Sequence, residues 1–454
     1  MKYLSILLLS LFISVPTIGQ DIQTDFKSDA NTIIGAAMGN DIGFERLTYL
    51  VDNFGPRLSG SENLENAIDW IVETMKEDGF DKVWKQPVMV PHWVRGNESA
   101  TLKAPITRDL PMLGLGGSIG TPKDGITAEV LVVNSFDELE ARSDEAKGKI
   151  VLFNAPFTAY GQTVQYRVNG ASAAAKHGAV ASMIASVASY SIQTPHTGVM
   201  RYQDGIKKIP HAAITVEDAN MIQRFAERGE KVEVHLYMEA MTLPDAQSHN
   251  VIAEITGSEF PEEIVVMGGH IDSWDVGQGA MDDGGGCVAA WEALRLIKES
   301  GLRPKRTIRV VLWTNEENGL AGGTEYRRWV EEDEKSLEKH VLAMESDAGV
   351  FDPIGFGFSG SDEAFEIISE IGSLLKPIEA DEVKKGGGGA DIGPLMQGGV
   401  PGMGLNVDGE KYFWFHHTDA DTIDKLNLQD FNECVATMGV HAFVVADLDQ
   451  TLPR

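Results

Sequence analysis

EIVVMGGHIDSWDVGQGAMDDGGG, residues 263–286, decides the fold. Its first seven residues are an apolar run of strand length that ends in two glycines. A His-x-Asp comes at once, then a glycine-rich loop carrying Asp282 and Asp283, and an apolar-periodic stretch from Gly284 to Ser300 that reads as a helix. The unit is therefore strand, polar loop, helix. Outward from it the same alternation continues. NVIAEI (250–255), TIRVVLW (307–313), VLAMES (341–346) and PGMGLN (401–406) read as strands. Gly319 to Glu332, Asp362 to Leu374 and Leu428 to Leu448 read as helices. This alternation predicts an α/β fold, a mostly parallel mixed sheet covered by helices. In such sheets ligands bind beyond the carboxyl ends of the strands.

The residues at those ends are chemically alike. His270 and Asp272 come after the first strand, Asp282 and Asp283 open the next helix, and Glu316 and Glu317 come after TIRVVLW. Asp347 comes after VLAMES, and His416 and His417 sit in the loop WFHHTDADT. Imidazole mixed with carboxylate suits a zinc-like divalent ion, whereas calcium or magnesium favours oxygen alone. The set exceeds what one catalytic zinc uses, so two ions sharing a carboxylate are expected. Of the pair Glu316 and Glu317, one acid can bind metal while the other moves a proton. The carboxylate of Asp272 is expected to accept the second imidazole N–H of His270 and so orient it.

The flanks add organisation. MKYLSILLLSLFISVPTIGQ has the charge, apolar run and small-residue exit of an export signal, so residues 1–20 are expected to be removed and the product exported without a membrane span. Residues 21–116 hold two helices around a Gly-Pro-Arg turn, the second capped by Ser61, then strand-like pieces broken by prolines. Residues 117–243 change texture to short apolar strands such as EVLVVN and KIVLFN, with His177, His196, His211 and His235 scattered singly. That block is read as a non-catalytic insert, and residues 244–454 as the main part of the first unit. Beside His416 and His417, the aromatic run Tyr412 to Phe415 could wall a cleft or pack in the core, and acids left over from metal binding, such as Asp283 and Asp391, could pair with a substrate ammonium. Lys+Arg 38 against Asp+Glu 68 gives a net charge of −30, which repels phosphate backbones and argues against nucleic acid. Two cysteines, Cys287 and Cys434, make no disulfide framework, and whether they pair is left open by the sequence.

FGPRLSGSEN, NVIAEITGSE, GGHIDSWDVGQGAMDDGGG, TNEENGLAGG, AMESDAG, GGADIGPL and YFWFHHTDADT together resemble the co-catalytic zinc exopeptidases of the aminopeptidase Y family, in its carboxypeptidase branch. The resemblance implies the zinc exopeptidase fold, with an α+β protease-associated domain inserted at 117–243. It implies two zinc ions, one on His270 and Asp347, the other on Glu317 and His417, with Asp282 between them. Glu316 would be the general acid/base and Asp272 the orienter of His270. It also implies a homodimer, and small peptides with free termini, dipeptides above all, as substrates. GGADIGPL departs from the wider family's SDH pattern at Ala390 and Ile392, where the substrate's terminus is contacted. A broad aminopeptidase on the same metals and a receptor-like binding protein without catalysis are the alternatives.

Overall fold

The computed structural model describes residues 20–454, so the leader expected at 1–20 lies, but for Gln20, outside the described residues. Two eight-stranded sheets make up the molecule. Across the first, the strands lie in the order Lys82–Val94, Met241–Ile255, Arg306–Trp313, Phe260–His270, His340–Glu345, Gly402–Val407, Pro353–Ser359, Glu382–Lys385. Arg306–Trp313, Phe260–His270, His340–Glu345 and Gly402–Val407 are parallel neighbours, and antiparallel strands flank them. All eight residues of Arg306–Trp313 are buried. A central strand needs both faces covered. Gly285–Glu299 and Leu428–Asp447 share one apolar core with the sheet, and Ala321–Glu332 packs on a second that contains Trp313, Tyr326 and Val330. The α/β sheet covered by helices expected from the sequence is thus present.

Ser61 caps the helix Glu62–Glu77, its hydroxyl accepting from Leu64 N at 3.2 Å, and Leu64, Ala67, Ile68, Ile71, Val72 and Met75 form the buried stripe. The stretch after it departs from the reading of broken pieces. Lys82–Val94 is one strand of 13 residues that runs through Pro87 and Pro91. It lies at the sheet's edge and pairs only with Met241–Ile255, so the missing proline N–H groups interrupt no second ladder. The far half of this ribbon leads out of the first sheet.

The second sheet has the order Arg108–Leu110, Glu98–Ala104, Glu233–Met238, Ile126–Val133, Ile150–Phe153, Ala181–Ala185, His211–Ile214, Met112–Gly114. It begins at Glu98, ahead of the boundary at 117 expected from the sequence, because the short pieces at 98–114 find partners only there. Its four consecutive strands from Ile126–Val133 to His211–Ile214 are parallel. Cys287 and Cys434 are both buried and unpaired.

Candidate metal centre

Asp282 sits where the helix Gly285–Glu299 meets the strand Phe260–His270, and its two carboxylate oxygens face different partners. Oδ1 is 3.2 Å from His270 Nε2, which is also 3.3 Å from Asp347 Oδ1. Oδ2 is 3.3 Å from His417 Nε2, which is 3.0 Å from Glu317 Oε2. Each side of Asp282 therefore holds one imidazole and one further carboxylate. His416 stacks on His417 with ring centroids 3.5 Å apart, and its Nε2 stands 3.6 Å from Asp282 Oδ2 with no approach to Glu317.

The local chain explains why these groups converge. Gly269 and Gly286 leave room for the carboxylate of Asp283: a Cβ at either would fall 2.1 Å and 2.4 Å from its oxygens. Asp283 accepts from His270 N at 3.0 Å and Gly286 N at 3.1 Å, pinning the strand end to the helix start. Asp421 accepts from Ala280 N at 3.1 Å, Met281 N at 2.7 Å and Asp282 N at 3.3 Å, and so sets the loop that presents Asp282. Arg57 is buried and donates to four main-chain carbonyls of Gly55, Ile271, Gln278 and Gly279, stitching the Gly-Pro-Arg turn to the same loop. Sequence reasoning does not single out Asp421 or Arg57; both stand inside motifs, HHTDADT and FGPRLSG, whose fixed spacing is the available signal.

Both imidazoles have their Nδ1 engaged, leaving Nε2 free for an ion. His270 Nδ1 is 2.9 Å from the main-chain oxygen of Asp272, and the Asp272 carboxylate is farther, at 3.8 Å. The expected carboxylate–imidazole bond is thus replaced by a carbonyl, because the carboxylate is occupied elsewhere: Oδ1 accepts from Glu316 N at 3.0 Å and Oδ2 from Glu317 N at 3.3 Å. His417 Nδ1 is 3.3 Å from Thr197 O, and Thr197 N donates to His417 O at 3.0 Å. His196 Nδ1 reaches His416 O at 2.7 Å. The segment His196–Thr197 belongs to the block read as chemically silent, so that block positions one half of the centre. His177 and His211 take no part in it; His211 is bonded within the second sheet to Ser182 Oγ at 2.6 Å.

The electrostatics favour a cation. Burial together with the Asp347 and Glu317 charges pushes Glu316 well above the usual carboxylate range, and burial with Asp282 brings Glu317 up to about 7. Burial opposes the charge of Asp282, but His270 and His417 hold it well below its ordinary value. Asp282 Oδ2 and Glu317 Oε1 are buried with no hydrogen-bond partner. An orphaned buried carboxylate oxygen facing His417 on one side of Asp282, and the converging ligand atoms of His270, Asp282 and Asp347 on the other, fit divalent ions of zinc-like preference.

A cavity of about 390 Å³ opens over this arrangement, within the size range of small-ligand sites. Asp282, Glu316, Glu317, Asp347 and His417 line it from the first sheet, and Tyr160, Arg167, Val199 and Arg201 from the second. The aromatic run beside His417 divides: Tyr412 and Phe413 line the cavity, with Phe413 stacked on Tyr160 at 4.9 Å, while Trp414 packs on Tyr190 at 4.7 Å. The spare acids Asp283 and Asp391 are buried and do not line this cavity.

Residues 250–441 match the profile of peptidase family M28. Carboxypeptidase Q of Mus musculus is 54% identical over 411 residues, 90% of this chain and 87% of the mouse protein. The crystal structure of a peptidase M28 precursor from Shewanella amazonensis superposes with a TM-score of 0.89 at 36% identity, covering 94% of this chain and 98% of that one. A zinc aminopeptidase from Bacillus subtilis shares the fold at a TM-score of 0.66 and 20% identity, covering 93% of this chain and 98% of its own.

Proposed function

The chain belongs to peptidase family M28, in its carboxypeptidase Q branch, and is a zinc metallopeptidase; on that premise we propose an exported exopeptidase that hydrolyses small peptides, dipeptides with free termini foremost, at a two-ion centre. The observation that carries the two-ion reading is the split of Asp282, one oxygen toward His270 and Asp347, the other toward His417 and Glu317. Those five residues would hold the ions, each ion keeping a position open for reactants. When bound, the pair of ions lowers the pKa of a water and polarises the scissile carbonyl.

The chain's own groups do the rest. Glu316 lines the cavity and makes no ion pair within 4.0 Å with either imidazole, so it is free to take the proton of the attacking water as the C–O bond forms. It then delivers that proton to the amine nitrogen as the C–N bond breaks. Asp272 acts by position: it fixes the main chain of Glu316 and Glu317 with one carboxylate, and the imidazole of His270 with its carbonyl. The second sheet is read as an inserted protease-associated domain, supported by a core of its own and by the ribbon that joins it to the first sheet. Export rests on the leader, and a homodimer on family resemblance. A panel of free, N-acetylated, C-amidated and doubly blocked dipeptides, assayed with zinc, tests the reading. Turnover of the free dipeptides is expected, and efficient cleavage of doubly blocked peptides or a folded protein would overturn it.

A further inference from the structure

Five arginines are buried among the described residues: Arg57, Arg167, Arg295, Arg306 and Arg309. Arg295, Arg306 and Arg309 are each paired with glutamates, at 2.6 Å to Glu292, 2.7 Å to Glu263 and 2.6 Å to Glu254. Arg57 donates to its four carbonyls at 2.8–2.9 Å. Arg167 has neither arrangement. Its Nη2 donates to Tyr160 Oη at 2.9 Å and its Nη1 only weakly to Thr197 O at 3.3 Å, while Nε is buried with no partner. The 3.4 Å approach of Nη1 to His417 Nδ1 offers no bond once that nitrogen carries the proton directed at Thr197 O. No carboxylate lies within 4.0 Å of this guanidinium among the described residues.

A buried, unpaired charge is costly unless something on its open side completes it. The chain nevertheless makes room for this one: a Cβ at Gly198, where φ is +135°, would stand 2.3 Å from Arg167 Cζ. Arg201 lies beside it, its N–H bonded to Val168 O at 3.0 Å, and its own guanidinium has no ion pair and no hydrogen bond among the described residues. Arg167 and Arg201 both line the cavity over the metal centre. In a chain of net charge −30, a buried arginine without an acid, next to an exposed one on the same cavity, marks where an anion enters, the buried Arg167 carrying the argument and the exposed Arg201 adding charge at the rim. Guanidinium groups match the planar, two-oxygen geometry of a carboxylate.

We propose that Arg167 and Arg201 receive the α-carboxylate of the substrate's C-terminal residue, so that the second sheet, not the metal-bearing one, makes the enzyme select a free C-terminus. This rests on the exopeptidase reading above and adds to it which end is read and by which residues. Because both arginines come from the second sheet and Glu316 from the first, they would also fix the direction in which a peptide lies across Glu316.

The test uses the full-length, zinc-loaded protein and a matched pair of substrates, one dipeptide with a free carboxylate and the same dipeptide as its C-terminal amide. The native protein should favour the acid, and Arg201→Gln should lower the acid-to-amide ratio of kcat/KM by about tenfold or more, chiefly through KM, as expected for losing a charge-assisted hydrogen bond. Arg167→Met should lower it further; if that variant fails to fold, Arg201→Gln alone decides. A ratio unchanged in Arg201→Gln, a parallel fall for acid and amide, or a native ratio near one would overturn the proposal while leaving the exopeptidase reading standing. Failure of the native protein to cleave either substrate would instead overturn that reading.

Discussion

The two sheets are alike at their centres, four parallel strands in each, and differ in the residues just beyond the strand ends. In the first, the strand ends deliver His270, Glu316, Glu317 and Asp347. In the second, the residues immediately after the strands are Asn134, Asn154, Ser186 and Thr215, and the acids that come later, Glu217 and Asp218, are taken up by Ser191 and Gln193 and by Thr215 and Arg108. A cavity of about 410 Å³ lies over those neutral ends too, lined by Asn134, Asn154 and Ser186 among others. Architecture alone therefore supplies a cleft at the carboxyl edge of either sheet, and the ionisable residues at that edge decide which cleft can hold metal. The second sheet contributes by reaching across: Thr197 orients His417, and Arg167 and Arg201 face the cavity.

Replacing one strand-end residue in each sheet tests this difference at its largest. Asp282→Ala should release zinc, measured by elemental analysis, and lower peptide turnover by more than ~10³-fold, since one carboxylate serves both halves of the centre. Asn154→Ala, at the equivalent edge of the second sheet, should leave zinc and turnover near native values. Loss of zinc in Asn154→Ala would break the contrast. Asp272→Asn sharpens it on the metal-bearing side. The carboxamide can no longer accept both loop N–H groups through oxygen, so zinc affinity or activity should fall ~10–100-fold with little change in melting temperature. An unaltered variant would show that the loop needs no such tie.

The smallest effect concerns stability and is shared by the two sheets. His211 in the second, and His340 and His441 in the first unit, are buried, and burial holds each down to about 4 from an ordinary 6.5. Between those values the unfolded chain binds protons that the native one does not, so this stability is present above pH 6.5 and is lost as pH falls toward 4. Urea midpoints should therefore drop across that window. His211→Gln should remove that histidine's share of the slope, leaving those of His340, His441 and His196, the last held down to about 3 by burial, against the opposing shares of Glu345 and Asp421, which burial raises to about 7. A slope unchanged by the substitution would place the titration elsewhere.

Much of the first sheet was legible because its strands are runs bounded by glycine, and because His270, Asp282, Glu316, Glu317, Asp347 and His417 all fall at strand-to-loop junctions. The edge strand Lys82–Val94 was not, since prolines argue against a strand unless one knows that it has a partner on only one side. The strands of the second sheet that precede residue 117 were not legible for a related reason: pieces of three residues such as Arg108–Leu110 carry no period of their own and exist through their pairing. Arg167 was illegible. A lone arginine in a small-residue helix gives no sign that it is buried, unpaired and turned toward a cavity built by another part of the chain.

The central claim is that the first sheet holds two ions around Asp282 while Glu316, free of both, moves the proton. Zinc counted per chain in Glu316→Gln, alongside its rate on a free dipeptide, tests this most directly. Two zinc ions per chain should remain, as in the native protein, while kcat falls ~10²–10⁴-fold. A single ion per chain in the native protein, or near-native turnover in Glu316→Gln, would contradict the account.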